Sequence, residues 1–374
     1  MPDKLKVLWG LTGSVASTLT PKIIKDASEK YDLKMVATSA AEFFFNYSDL
    51  AYFSVSLYND DHEWKWEDPC FFGQYRDLWQ KNDPVLHIEL RDWADVLVIA
   101  PLTANTLAKM ANGICDNLLT SVVRAWPREK PIIIAPAMNT VMWESPFTNC
   151  HLKTLKEIFD ITIVNPVEKE LACGDVGIGA MAHLNTIYEA IDNSNKWFFP
   201  LEECNGIPIG EHPGAFGVQR KHSKHCGVDL YTKERSRVYA VETGKVVAIE
   251  PFTGKIDGSD WWEDTYCVLV EGKNGETVCY GEVEPMWGIK VGKFVKKGQC
   301  IADIIPVLKE GKERPDIPGH SRSMLHLELY KNKTNVPSNG WDNSQHLGLT
   351  DPTEFLLNAI NKPENVKILG VPKT

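Results

Sequence analysis

Two small groups of side chains have the types and spacing to do chemistry. The first centres on Pro136-Ala137-Met138-Asn139, which follows the apolar run Pro131-Ile132-Ile133-Ile134-Ala135. Such a run predicts a buried parallel strand, and in open α/β sheets ligands bind beyond the carboxyl ends of strands. Asn139 would then present a donor and an acceptor to a ligand. A plain turn that contains Asn is the competing explanation. The second group joins His225-Cys-Gly-Val-Asp229 to Met324-Leu-His-Leu-Glu328. His326 and Glu328 share one face of a strand. His225, Asp229 and His326 make a tetrahedral zinc set with its fourth position open. Histidines that are merely packed or solvated are the plainer alternative.

The elements that must position the first group alternate between strand and helix. Lys6–Trp9 is a short strand running into Gly10-Leu11-Thr12-Gly13-Ser14-Val15-Ala16-Ser17, then a helix to about Lys30. Strand, Gly-rich turn and helix present backbone N–H groups to a phosphate. The turn is not a full GxGxxG, so a mononucleotide suits it as well as a dinucleotide. Leu33–Thr38 is the second strand, with a helix expected from near Ala40. Residues 59–83 read as an extended, partly exposed loop. Val96–Ala100 is a third strand, helices follow over 106–111 and about 116–126, and the strand before Asn139 comes next. A helix over 148–158 and a last strand over 161–164 complete the alternation. Small or polar residues follow four strand ends, near 13, 39, 104 and 139. This pattern predicts a parallel sheet with helices on both faces and a ligand at one edge. Beyond it, Cys173 opens a stretch with three Gly at 174, 177 and 179, which reads as a mobile flap carrying a thiol or as a structural Cys beside a turn.

Composition narrows the function class. The 374 residues suggest two domains or one large one, and at 43% hydrophobic and 24% charged they hold enough apolar material for a sizeable core. The net charge of -10 and the lack of a basic stripe argue against nucleic acid. No apolar run is long enough to span a bilayer, and the charged start lacks a signal-peptide pattern, so a cytoplasmic location is expected. The nine Cys form no CxxC pair and are expected to be reduced.

Residues 5 to about 192 resemble the phosphopantothenoylcysteine decarboxylases. The resemblance rests on six blocks, 10–16, 83–90, 100–107, 113–120, 136–143 and 173–182. It implies a flavodoxin/Rossmann-like α/β fold, FMN, and a homotrimer with active sites between subunits. Carried over by position, Gly13, Ser14, Val15 and Ser39 hold the FMN phosphate region. Thr103, Ala104, Asn105, Thr106 and Ala137 contact the rest of the flavin. His87 is the base, Asn139 binds the substrate carboxylate, Met142 lines the pocket and Cys173 is the proton donor on the flap. The chemistry accounts for these residue types. A cysteine carboxylate has no electron sink, but oxidation of its thiol to a thioaldehyde places the carboxylate beta to an electron-poor centre, and CO2 leaves to give an enethiol. Returning the electrons and a proton completes the reaction. One departure stands out. Relatives often carry two consecutive basic residues before the Trp, where this chain has Arg91-Asp92. Arg91 is the candidate to hold an anionic group of the substrate, and Asp92 would oppose it.

The second half changes character. Short β segments separated by Gly turns are expected over 238–240, 244–249, 266–271, 277–281, 293–305 and 324–330, and a helix capped by Asp351 with Pro352 at its first position. The expected organisation is an N-terminal domain over 1–198, a linker over 199–210, an all-β domain over 211–360 and a tail over 361–374. Residues 211–357 resemble the lysostaphin-type metallopeptidases, in particular the leukocyte-derived chemotaxin-like branch. The metal ligands His225, Asp229 and His326 are present. Active members carry catalytic imidazoles where this chain has Met324 and Glu282, so the resemblance implies a Zn2+ site without peptidase activity. A metal-free carrier-like β module is the other reading, disfavoured by the lack of an exposed Lys in the required turn. For the whole chain the leading expectation is conversion of phosphopantothenoylcysteine to phosphopantetheine in coenzyme A synthesis, with an unidentified ligand or protein partner for the β domain. The alternatives are a silent FMN-binding regulator and an active zinc peptidase tethered to a flavoprotein.

Overall fold

The computed structural model describes all residues except 1–3, 51, 65, 68–74, 77–83, 160, 171–175, 221–222, 259, 313–321, 339–347, 361–366 and 371–374. The chain divides into two compact units, Met1–Asn195 and Lys196–Thr374.

The first unit is built on a parallel sheet. Its strands are β1 (Lys6–Leu11), β2 (Asp32–Ala37), β3 (Ser56–Tyr58), β4 (Val96–Leu102), β5 (Ile132–Pro136) and β6 (Ile161–Ile163), in the spatial order β3-β2-β1-β4-β5-β6. Every pairing is parallel. The central strands β4 and β5 are buried at every position, which is why their sequences are continuous apolar runs. Side chains alternate across the sheet. Trp9, Leu11, Val98 and Ile133 enter one core with Ile23, Ile24 and Ile187. Leu8, Leu97, Ile99 and Ile134 enter the other with Leu90, Leu119 and Leu155. The α/β expectation with helices on both faces therefore holds.

The helices are α1 (Thr20–Lys30), α2 (Asp60–Trp64), α3 (Leu86–Trp93), α4 (Ala104–Ala111), α5 (Leu118–Ala125), α6 (Thr140–Trp143), α7 (Pro146–Ile158) and α8 (Leu184–Ser194). Local chemistry sets their starts. Asn117 and Thr120 form a reciprocal capping box at α5, and Pro146 opens α7, where a missing N–H costs nothing. Two expectations need correction. No long helix follows Ala40; a 3-10 turn at Glu42–Phe44 and a short helix at Tyr47–Leu50 stand there instead. The expected loop over 59–83 begins with α2, whose Glu63 is buried.

The described part of the Gly-rich stretch is a strand. Residues Val176–Ala180 form a strand, β8, antiparallel to β7 (Val167–Glu170). Gly177 and Gly179 serve close packing: a Cβ on Gly177 would lie 2.4 Å from Thr140 Oγ1, and one on Gly179 would lie 2.1 Å from the Met138 carbonyl oxygen. Cys173 lies outside the described residues.

The second unit is antiparallel. Strands β9 (Val228–Tyr231), β10 (Arg237–Tyr239), β11 (Gly244–Thr253), β12 (Thr265–Glu271), β13 (Thr277–Pro285), β14 (Phe294–Val295), β15 (Cys300–Ile304), β16 (Met324–Tyr330) and β17 (Leu349–Thr350) form one sheet with the main order β9-β16-β13-β12-β11-β14. Its pairs are antiparallel. The single strand expected over 293–305 is two pieces, β14 and β15, separated by a turn with Gly298 at φ 75°. The strand β9, which carries Asp229, was not expected. Trp197, Leu201 and Ile207 are buried in this unit's core, so the stretch 199–210 is packed and not a free linker. Ile368–Leu369, within the expected tail, pairs in parallel with Ile207–Pro208. Helix α9 starts at Thr353, with Pro352 at its N-cap position, while the Asp351 carboxylate still accepts from the Thr353 amide at 2.8 Å.

Candidate functional site

The four loops expected at one sheet edge follow β2, β1, β4 and β5, which are consecutive neighbours in the sheet. Hydrogen bonds tie these loops together. The Thr38 amide donates to Leu11 O at 3.0 Å. Thr12 is buried; its hydroxyl donates to Pro101 O at 2.7 Å and accepts from the Thr103 amide at 2.9 Å. The Ala137 amide donates to Leu102 O at 2.9 Å. Thr12 was missed as a site residue; its place inside the Gly-rich turn was the available signal.

Gly13 permits a close approach at that edge, since a Cβ would lie 2.6 Å from the Cβ of Ala40. Ser14 accepts from the Ala16 amide, and Ser39 is exposed. Thr103 caps α4, accepting from the Thr106 amide; Ala104 and Asn105 follow at its open first turn, while Thr106 is buried. Val15 and Met142 remain about half exposed, at 51% and 48%, and Ala137 is buried. A close backbone approach flanked by hydroxyls, with apolar side chains left open, fits a phosphate-bearing flavin.

Asn139 caps α6, its Oδ1 accepting from the Val141 amide at 2.9 Å. Its neighbour Met138 is bound to the Gly-rich hairpin, the Met138 amide donating to Gly179 O at 2.9 Å. His87 is the second residue of α3. Its Nδ1 lies 2.5 Å from Glu63 Oε1, and its backbone amide donates to Glu63 Oε2 at 3.1 Å. Arg91, the candidate anion holder, is paired with its neighbour: Nη2 lies 2.7 Å from Asp92 Oδ1. Asp92 thus occupies the guanidinium fork that a substrate anion would use.

The second site lies in the β unit. Among the described residues, His225, Asp229 and His326 form a group whose ligand atoms all lie within 4.8 Å of one another. His225 Nε2 is 3.2 Å from His326 Nδ1 and 3.1 Å from Asp229 Oδ1, and His326 Nδ1 is 2.8 Å from Asp229 Oδ1. Tetrahedral zinc with bonds near 2.0 Å separates its donors by roughly 3.3 Å, so the set fits after a small expansion. The other imidazole nitrogens are held from behind. His225 Nδ1 is 2.9 Å from Ala215 O and His326 Nε2 is 3.2 Å from Glu328 Oε1, the support that metal-binding imidazoles require. Asp229 Oδ2 is taken by Arg220. Burial alone would raise the Asp229 carboxyl, but His225 and Arg220 beside it hold it well below its ordinary value. Met324 is buried on β16, and Glu282 is buried with φ 66°.

A parallel sheet with small and polar residues after four adjacent strand ends suits a flavoprotein, and the chain belongs to that family: the flavoprotein family model matches residues 1–196. Residues 223–338 match the model of peptidase family M23. Similar proteins include named decarboxylases. The chain is 48% identical over 187 residues to the phosphopantothenoylcysteine decarboxylase of Oryza sativa subsp. japonica, covering 50% of this chain and 79% of the relative. It is 47% identical over 191 residues to the phosphopantothenoylcysteine decarboxylase of Arabidopsis thaliana, covering 51% and 85%. Among solved structures, the FMN binding protein AtHal3 is similar at 46% identity with a TM-score of 0.44, over 51% of this chain and 96% of that one.

Proposed function

We propose that this protein catalyses the FMN-dependent decarboxylation of 4'-phospho-N-pantothenoylcysteine to 4'-phosphopantetheine, a step of coenzyme A synthesis. The observation that carries the reading is the continuous edge of the sheet, where Gly13, Ser14, Ser39, Thr103 and Asn139 follow adjacent strands. Relatives of this name, at close to half identity, support it. When bound, FMN supplies the electron sink that a cysteine carboxylate lacks. Gly13, Ser14, Val15 and Ser39 would hold its phosphate end, and Thr103 to Thr106 with Ala137 would face the remainder. Asn139 holds the substrate carboxylate through its amide. His87 takes the thiol proton as the substrate becomes a thioaldehyde. Cys173 would return a proton to the enethiol that forms when CO2 leaves the thioaldehyde, and Met142 would line the apolar part of the pocket. The assembly is a homotrimer in this reading, and the reaction is cytoplasmic.

In the same proposal the β unit holds Zn2+ through His225, Asp229 and His326 and does not cut peptides. The support is the donor geometry together with Met324 and Glu282 at the two positions where active relatives carry imidazoles. The unit is then a binding module for a ligand or protein partner.

Mass spectrometry of phosphopantothenoylcysteine incubated with FMN-loaded protein tests the main reading. Loss of CO2 to give phosphopantetheine is the expected result. Unchanged substrate in the presence of bound flavin favours a silent regulator and makes Asp92→Arg the first reversion to test, because Asp92 ties up Arg91.

A further inference from the structure

A buried carboxylate beside His87 belongs to no motif singled out in the sequence. Glu63 lies on the five-residue helix α2 with only 7% of its side chain exposed. Both of its carboxylate oxygens engage one residue. Oε1 lies 2.5 Å from His87 Nδ1, and Oε2 accepts from the His87 backbone amide at 3.1 Å. The helix carrying it is anchored from its other end, where Asp60 Oδ1 accepts from the Leu118 amide at the start of α5 at 2.8 Å. Asp60 and Glu63 thus tie α2 to the start of α5 and to His87.

A carboxylate accepts and does not donate, so the nitrogen facing it carries the proton. Nδ1 of His87 is then the N–H atom, and Nε2 is the atom left with a lone pair. Free imidazole in water has no such constraint. The same carboxylate stabilises the imidazolium that forms when Nε2 takes a proton, as the buried Asp does for the His of a serine protease.

We propose that Glu63 is the positioning residue of the decarboxylase, fixing His87 as its Nδ1–H tautomer so that Nε2 accepts the substrate's thiol proton. The inference rests on the decarboxylase reading and on His87 as its base. The S–H bond breaks as the Nε2–H bond forms, and bound FMN would supply the two-electron acceptor for the accompanying oxidation of the thiol carbon.

The test uses full-length, FMN-loaded protein labelled with 15N-histidine. The His87 resonances are assigned by their loss in His87→Gln. The wild type is expected to show a His87 tautomer protonated at Nδ1. In Glu63→Gln the tautomer is expected to relax toward Nε2–H. There kcat for CO2 release falls roughly 10- to 100-fold, while KM and FMN content change less than about twofold, since the carboxylate acts through the ring and not on substrate. A decarboxylating wild type whose His87 carries its proton on Nε2 overturns the assignment without recourse to any variant. So does a Glu63→Gln protein that keeps both tautomer and turnover. A wild type that releases no CO2 overturns the decarboxylase reading itself, and the nitrogen spectrum then reports on the pairing alone.

Discussion

Gly179 lies directly against the backbone of Met138: the Met138 amide donates to Gly179 O at 2.9 Å, and a Cβ on Gly179 would stand 2.1 Å from the Met138 carbonyl oxygen. The hairpin strand that follows Cys173 in the chain is thereby docked on the residue next to Asn139. Gly179→Ala must push the two apart by more than an ångström, because both atoms belong to backbone. Turnover is expected to fall on the order of 100-fold, the cost of a misplacement of that size in a reacting geometry. FMN content should fall less than turnover, since Gly13, Ser14, Ser39 and Thr103 lie on other loops of the edge. Steady-state CO2 release and flavin absorbance check both halves of the statement.

Thr12→Val tests the edge from the other side. The variant keeps the side-chain volume but removes the hydroxyl that joins Pro101 O to the Thr103 amide. A buried donor left unpaired costs about 1–3 kcal/mol. The expected outcome is weaker FMN retention and a lower melting temperature for the first unit, read by flavin release on dilution and by calorimetry.

The metal proposal predicts one zinc per chain by elemental analysis. His225→Ala and His326→Ala should each lose it, because each removes one of three buried ligands. Chelation of the wild type should lower the melting temperature of the β unit, since binding free energy at such a site is folding free energy, and zinc should restore it. No peptide substrate should be cut with zinc present. Zinc content unchanged in His225→Ala removes the site from consideration.

Glu242 supplies a pH-dependent term in the β unit. It is buried, its Oε1 has no hydrogen-bond partner, and Gly272 packs against it. Burial pushes its carboxyl from an ordinary 4.5 up to about 7. Folding therefore favours the protonated form. The group's contribution is fully present below pH 4.5 and is lost as the pH rises through 7, a change of about 3 kcal/mol. Glu242→Gln should flatten that dependence and be more stable than wild type at pH 8. Denaturant unfolding at pH 5 and pH 8, with hydrogen exchange on β11 and β12 to localise the change, checks the sign.

The amino-acid sequence by itself determined the parallel sheet, because strands buried on both faces must be continuous apolar runs, and 96–102 and 132–136 are such runs. It also placed Gly13, Ser39, Thr103 and Asn139 after strand ends, which local composition can show. What only the tertiary structure decided are the relationships between residues far apart in the chain. Asp229 faces His326 across 97 residues because β9 and β16 pair at that register; a four-residue strand has too little periodicity to announce itself. Thr12 reaches Thr103 across 91 residues. Glu63 reaches His87 from a stretch whose polar and aromatic composition reads as loop, and its burial follows from what packs over it. The glycines of the hairpin carry the same lesson. A Gly-rich run signals freedom when read alone, whereas Gly177 and Gly179 are needed because Thr140 and Met138 leave no space for a Cβ. Periodicity and turn chemistry are local and can be read from the chain, but close approach and pairing exist only once distant segments meet.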